Sequence, residues 1–198
     1  MAGKVLGNLK KGLVFVLSAP AGTGKTTLVR MLRDEFPIVV ESVSCTTRPP
    51  RSGEASGRDY HFLSEAEFEK RIKQGDFLEH AKVFGHYYGT SKEFVLSEQE
   101  KGKHVFLVID TQGAMELKKK HFPCIFIFIS PPSLEELRER LIKRKTETEE
   151  TLQRRLSWAE QEITMAPHYD YHIVNENLGF AYDILRSIVI AEEHRVKK

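Results

Sequence analysis

The stretch "LSAPAGTGKTT", Leu17 to Thr27, constrains this chain more than any other feature. An apolar run, Leu13 to Leu17, leads into it, and a helical pattern with Leu28, Met31 and Leu32 on one face leads away. Strand, small-residue loop, Gly-Lys-Thr and helix is the order that a phosphate-binding loop requires. In such a loop the backbone N–H groups turn inward around an anion at the positive end of the following helix. Lys25 is then placed to reach the outer phosphates, and the Thr26 hydroxyl to ligate Mg²⁺. The usual pattern opens with glycine, where this chain has Ala19. Gly22 and Gly24 remain to supply positive φ in the tight part of the loop.

A chain of 198 residues is long enough for one α/β domain with small insertions. Its net charge of +2 is too small to call for a nucleic acid or a membrane surface as partner. Cys45 and Cys124 make neither a disulfide framework nor a metal-ligand spacing, which fits a reducing cytoplasm. The opening "MAGKVLGNLKKG" lacks the apolar core of a signal peptide, and the run "CIFIFI" is far short of a bilayer span. Eight histidines fall into no paired-ligand pattern, so no zinc is expected.

Five apolar runs read as strands: 13–18, 38–44, 105–110, 124–130 and 171–174. Most are continuous rather than alternating, as in parallel strands buried on both faces. Helical patterns separate them: Thr26 to Phe36, Thr111 to Lys120, Ser133 to Lys145 after a capping box, a helix carrying Leu152, Leu156, Ala159 and Ile163, and Gly179 to His194. In that last helix Phe180, Ile184 and Ile188 share one face. The alternation predicts a doubly wound parallel sheet. Residues 45–98 interrupt it with "TTRPPRSGE", a short helix opening at Ser64 with Glu67 as capping partner, and "GDFLEHAKVFGHYYGTS". They read as an inserted subdomain on the same sheet.

"SAPAGTGKTT", "SVSCTTRPPRSGE", "FLEHAKVFGHYYGTS" and "IDTQG", in that order, resemble guanylate kinase from about Gly12 to Glu192. The resemblance implies a P-loop kinase with a central parallel sheet over residues 11–192. Its core would take 11–43, 99–140 and 160–192, with a GMP-binding insertion at 44–98 and a helical lid at 141–159. It implies transfer of the γ-phosphoryl of ATP to GMP, with Mg²⁺, in a cytoplasmic protein that is a monomer or weak homodimer. ATP would lie on Ser18, Ala19, Pro20, Ala21, Gly22, Thr23, Gly24, Lys25, Thr26 and Thr27. Asn175 matches a position whose neighbourhood packs on the adenine.

The acceptor in this reaction is a phosphate oxygen already ionised at neutral pH, so catalysis reduces to positioning and charge neutralisation. Arginines supply both. Guanidinium forks match phosphate oxygens, and the resemblance gives Arg48, Arg51, Tyr60 and Tyr88 the phosphate of GMP. Arg144 and Arg155 stand eleven residues apart, roughly 16 Å along an unbroken helix, too far to meet at one phosphate. A break near Lys145 to Thr148, with Thr146 and Glu149 as a second capping box, lets them converge as a lid. Composition alone would make these two arginines part of a salt-bridged surface helix pair. The resemblance assigns them to stabilising charge in transfer, and with it Lys25, Arg51, Arg144 and Arg155 are the expected catalytic set.

Guanine presents N1–H and N2–H₂ donors side by side, and one carboxylate accepts both, whereas adenine N1 is an acceptor. Glu79 in "FLEHA" matches the guanine carboxylate, with Ser44 and Thr90 as hydroxyl partners. Asp110, ending "VFLVID", suits a carboxylate that holds Mg²⁺ through water, a helix N-cap, or both. Two residues before it the family commonly has an aspartate near guanine; this chain has Val108.

Three other readings compete. A non-catalytic guanylate-kinase-like interaction module tends to lose the loop lysine and the ATP contacts, and Lys25, Thr26, Arg144 and Arg155 are all present. A ribose-bisphosphate kinase of the same architecture should lack the Glu79 set. A plain P-loop ATPase or GTPase would not need residues 45–98.

Overall fold

The computed structural model describes residues 4–143 and 149–196. The first half of the chain runs β1 (Val14–Ser18), α1 (Lys25–Glu35), β2 (Val39–Glu41), β3 (Cys45–Thr46), β4 (His61–Phe62), α2 (Glu65–Gln74), β5 (Phe77–Val83), β6 (His86–Ser91) and α3 (Lys92–Glu100). Then follow β7 (His104–Val108), α4 (Thr111–Lys119), β8 (Ile125–Ser130), α5 (Leu134–Lys143), α6 (Glu149–Ile163), β9 (Tyr171–Val174) and α7 (Leu178–Glu193). Among the described residues no helix is long and apolar enough to cross a membrane.

Five strands form an all-parallel sheet in the order β2-β7-β1-β8-β9. All of β1 is buried, because both faces of the sheet are covered. Phe15 and Leu17 face a core with Leu28, Val29 and Leu32 of α1 and Ala181, Leu185 and Val189 of α7. Val14 and Val16 face the opposite core, with Val95 of α3 and Ala114 and Leu117 of α4. Continuous apolar strands are what this two-sided burial demands. The chain leaves β1 for β2 on one side, later fills the gap with β7, and then adds β8 on the other side of β1. The crevice at the C-terminal end of β1 is therefore the switch point where open α/β sheets bind ligands.

Residues 45–91 do not join that sheet, contrary to the expectation of one shared sheet. They build a second one, of four strands, in the order β4-β3-β6-β5. Its own small core explains the separation. Phe68 of α2 stacks on Phe77 at 4.5 Å and on Tyr87 at 5.2 Å, with Cys45 beside them. Gly89 makes room for this: a Cβ there would lie 2.9 Å from the Phe68 ring. Ser64 caps α2 as expected, accepting from Glu67 N at 3.2 Å. The helix α3, which the sequence pattern does not single out, then returns the chain to the first sheet.

Two further differences bear on function. The strand expected over 105–110 ends at Val108, so Ile109 and Asp110 turn out of the sheet. In α7 the core takes Ala181, Leu185, Ile188 and Val189, while Phe180 is 72% and Ile184 46% exposed. The helix is apolar on two stripes, and the one bearing small Ala181 is the one that packs against the sheet and α1.

Both ends of the described chain are tied to the sheet by one carboxylate. Glu193 accepts from Gly7 N at 2.8 Å, from Asn8 N at 2.9 Å and from His104 Nε2 at 2.5 Å. His104 Nδ1 accepts from Leu13 N, so the ring carries its proton on Nε2. Burial alone would raise Glu193, but these N–H donors hold it down at about 2.

Candidate active site

The loop between β1 and α1 has the backbone its glycines imply. Gly22 has φ 95° and Gly24 φ 94°, both in the left-handed region. Space matters as much as φ at these two places. A Cβ on Gly22 would press on Leu141 and Leu137 of α5, at 3.1 and 3.3 Å. One on Gly24 would lie 2.9 Å from Asn175 Nδ2. Ala19, at the position where glycine is usual, is buried in the core, so its methyl is accommodated.

Lys25 curls back over the loop and donates to the Ala19 carbonyl, with Pro20 O at 3.4 Å. Two carboxylates share its neighbourhood, half-buried Asp110 and buried Glu162. Asp110 is the N-cap of α4, its Oδ1 accepting from Gly113 N at 2.8 Å. Burial raises its carboxyl, with the N–H bonds and Lys25 opposing. Glu162 of α6 is 6% exposed, and burial pushes it up to about 7.

These groups line one cleft of about 700 Å³ that runs from the loop to the second sheet. Residues 19–27 form one end. Ser44, Arg48, Arg51, Tyr60, Glu79 and Tyr88 form the other, and Val108 and Asp110 the floor between. Thr151, Arg154, Arg155 and Trp158 of α6 hang over it. Ser18, Thr90 and Asn175 lie behind the lining rather than in it. Ser18 is buried and donates to Asp110 O at 3.3 Å. Thr90 is buried, with its hydroxyl 2.6 Å from Glu79 Oε1. Asn175 holds the loop from below, Nδ2 to Thr23 O at 2.7 Å. Arg144 and Thr146 lie outside the described residues.

The second sheet presents its polar groups in pairs. Arg48 is clamped by Glu54 at 2.9 and 3.0 Å and stands over the Tyr60 ring at 5.4 Å. Tyr60 meets Tyr88 edge to face at 5.9 Å. Glu54 also accepts from Arg51 N at 2.7 Å, so one carboxylate shapes the whole basic turn. Glu79 is 3% exposed, and burial raises its carboxyl to about 8 against the Thr90 bond. A cationic turn and a cationic loop on one cleft can bring two phosphates together, with the buried Glu79 carboxyl placed to accept from a donor-bearing group beyond them.

Three contributors escaped the motif reading. Glu54 sat inside a quoted motif without a role. Glu162 was legible as an acid on a buried helix stripe, since Leu152, Arg155, Ala159 and Glu162 recur at helical spacing. The contact of Phe84, at the β5–β6 turn, with Trp158 at 5.2 Å had no local signal at all.

Comparison with known proteins agrees with this geometry. The family model for guanylate kinase matches residues 11–192. A guanylate kinase of Protochlamydia amoebophila is 55% identical over 192 residues, covering 97% of each chain. One of Chlamydia muridarum is 51% identical, covering 92% of this chain and 89% of its own. The crystal structure of guanylate kinase from Anaplasma phagocytophilum superposes with a TM-score of 0.77 at 36% identity, over 98% of this chain and 91% of that one. Matched by that model over most of its length, and more than half identical to whole relatives of that name, this chain belongs to the guanylate kinase family.

Proposed function

We propose that the cleft seats the phosphates of ATP in the loop 18–27 and GMP on the second sheet, and that the protein's ATP:GMP phosphotransferase activity arises where the two meet. One observation carries this reading: the phosphate loop, the basic turn, Glu79 and the lid helix α6 all line a single cleft. In it, Arg48, Arg51, Tyr60 and Tyr88 grip the acceptor phosphate. Glu79 accepts from guanine N1–H and N2–H₂, with Ser44 beside it and Thr90 holding the carboxylate in place. Lys25 leaves the loop carbonyls for the outer phosphates, and Arg155, with Arg144, neutralises charge that builds in transfer. No general base is assigned, because the attacking oxygen is already ionised.

The family generally uses a divalent metal with ATP, and the donors here suit Mg²⁺. Thr26, Asp110 and Glu162 offer hard oxygens on one cleft. Among the described residues no cluster of three His, Cys, Asp or Glu could hold an ion by itself. That suits an ion which keeps waters and takes substrate phosphates. Thr26 would hold it, with Asp110 through water, and when bound it supplies charge neutralisation at the phosphates. The same reading makes the protein a cytoplasmic monomer or weak homodimer with no nucleic acid or membrane partner.

A coupled assay offering ATP with GMP, AMP, CMP or UMP tests it. ADP release dependent on GMP alone is expected. Equal turnover with AMP would remove Glu79 from its role, and no turnover with any acceptor would remove the transfer reading.

A further inference from the structure

The glycine that closes the "IDTQG" run meets Glu79 from behind. Gly113 lies in the first turn of α4, and its φ is outside the positive range, so any residue could adopt its backbone. What the position lacks is room. A Cβ there would fall far inside contact distance of Glu79 Oε2 and 3.0 Å from Glu79 Cδ. The other carboxylate oxygen is taken by the Thr90 hydroxyl at 2.6 Å. The carboxylate is therefore held between a hydroxyl and a bare Cα.

The strand and the helix on either side of the carboxylate are tied to each other. His80 N donates to Glu116 Oε2 at 2.9 Å, and Lys120 Nζ donates to Leu78 O at 2.8 Å. The two neighbours of Glu79 on β5 are thus bonded to Glu116 of α4, the helix that carries Gly113, and to Lys120 at its C-terminal cap. A methyl at 113 forces a shift, and the carboxylate, as the end of a flexible side chain, is the group that gives way.

We propose that Gly113 is a positioning residue for base selection: its missing side chain sets where the Glu79 carboxylate stands. The proposal rests on the reading of Glu79 as the acceptor for guanine. A displacement of about an ångström at a binding group can cost up to ~10²-fold, so Gly113→Ala should weaken GMP by roughly 10- to 100-fold. Its preference for GMP over AMP should fall as well. Affinity for a non-hydrolysable ATP analogue should hold, since the loop is untouched.

The test is a double-mutant cycle on GMP affinity by calorimetry, with Gly113→Ala, Glu79→Ala and the double variant. If Gly113 acts through Glu79, adding Gly113→Ala to Glu79→Ala changes GMP affinity by less than about twofold. Equal losses in both backgrounds, or a Gly113→Ala protein that binds GMP like wild type, would overturn the proposal. A Glu79→Ala protein with full GMP affinity and selectivity would instead sink the reading of Glu79, and the proposal with it. Should Gly113→Ala prove too unstable to assay, melting temperatures decide. Alanine favours a helix, so the double variant should melt at or above Glu79→Ala. A double variant as unstable as Gly113→Ala would refute the clash with Glu79.

Discussion

The carboxamide of Asn175, just past β9, donates a 2.7 Å hydrogen bond to the carbonyl of Thr23 in the phosphate loop. The two residues are 152 apart in sequence. The same nitrogen would lie 2.9 Å from a Cβ on Gly24, closer than a side chain there allows. The loop is shaped from beneath by a residue that the family resemblance puts at a position whose neighbourhood packs on the adenine.

Asn175→Ala should therefore act on the loop. It leaves a buried carbonyl unpaired, at a cost of about 1–3 kcal/mol. For a chain of this size that lowers the melting temperature by roughly 2–12 °C. The KM for ATP should rise with that for GMP unchanged. A selective loss in GMP kinetics would contradict this assignment.

Lys25 and Arg155 differ in what they should do to kinetics. Lys25→Ala should abolish most transfer, by ~10²–10³ or more, with the fold retained by circular dichroism. Because Asp110 and Glu162 then lose a nearby cation, its melting temperature should fall more at pH 8.5 than at pH 6. Arg155→Ala should lower kcat by ~10² or more while each KM moves only a few-fold. A change confined to the KM for ATP would make Arg155 a binding clamp.

Glu79 gives a pH signature. Burial lifts its carboxyl to about 8, with Asp110 and Glu116 adding to the rise and Lys120 and the Thr90 bond opposing it. The unfolded chain ionises it near the ordinary carboxylate value. Between these two pH values the folded state holds a proton that the unfolded state has lost, so stability falls as pH rises through that window. Glu79→Gln removes the dependence. Its melting-temperature advantage over wild type should grow from pH 5 to about pH 8 and then level off. At pH 7 GMP binding should also release a proton, read by calorimetry in buffers of different ionisation enthalpy. A flat difference and no proton release would show an ordinary carboxylate.

Phe84 is 50% exposed, with φ 49°, a conformation costly for a bulky residue, yet its ring lies 5.2 Å from Trp158 and the Arg154 guanidinium stands over it at 5.7 Å. The turn of the second sheet thereby touches α6. Trp158 is the chain's one tryptophan, so its fluorescence reports this contact directly. GMP and an ATP analogue together should shift the emission, and Phe84→Ala should remove most of the shift. It should also reduce the help each nucleotide gives the other's binding. An unchanged spectrum with both nucleotides bound would mean that the contact does not respond to nucleotide binding.

Much of this molecule was readable from short range. The phosphate loop needs only neighbours: an apolar strand, glycines with φ near 95°, and a lysine and threonine opening a helix. The caps at Ser64, Asp110 and Ser133 are likewise decided within one turn, where a side-chain oxygen meets an N–H three residues on. Continuous apolar strands foretold a sheet covered on both faces. Glu54, Gly113 and Glu162 were legible as residues but not as partners, because their roles depend on which chain segment packs against them. Tertiary packing alone decided that residues 45–91 close a sheet of their own around Phe68, and that α7 buries Ala181 rather than Phe180. It also set Glu79 against Gly113 and Asn175 under Thr23. Periodicity reports which face of an element is apolar. It carries no record of which distant element will cover that face, or of the few ångströms left between them.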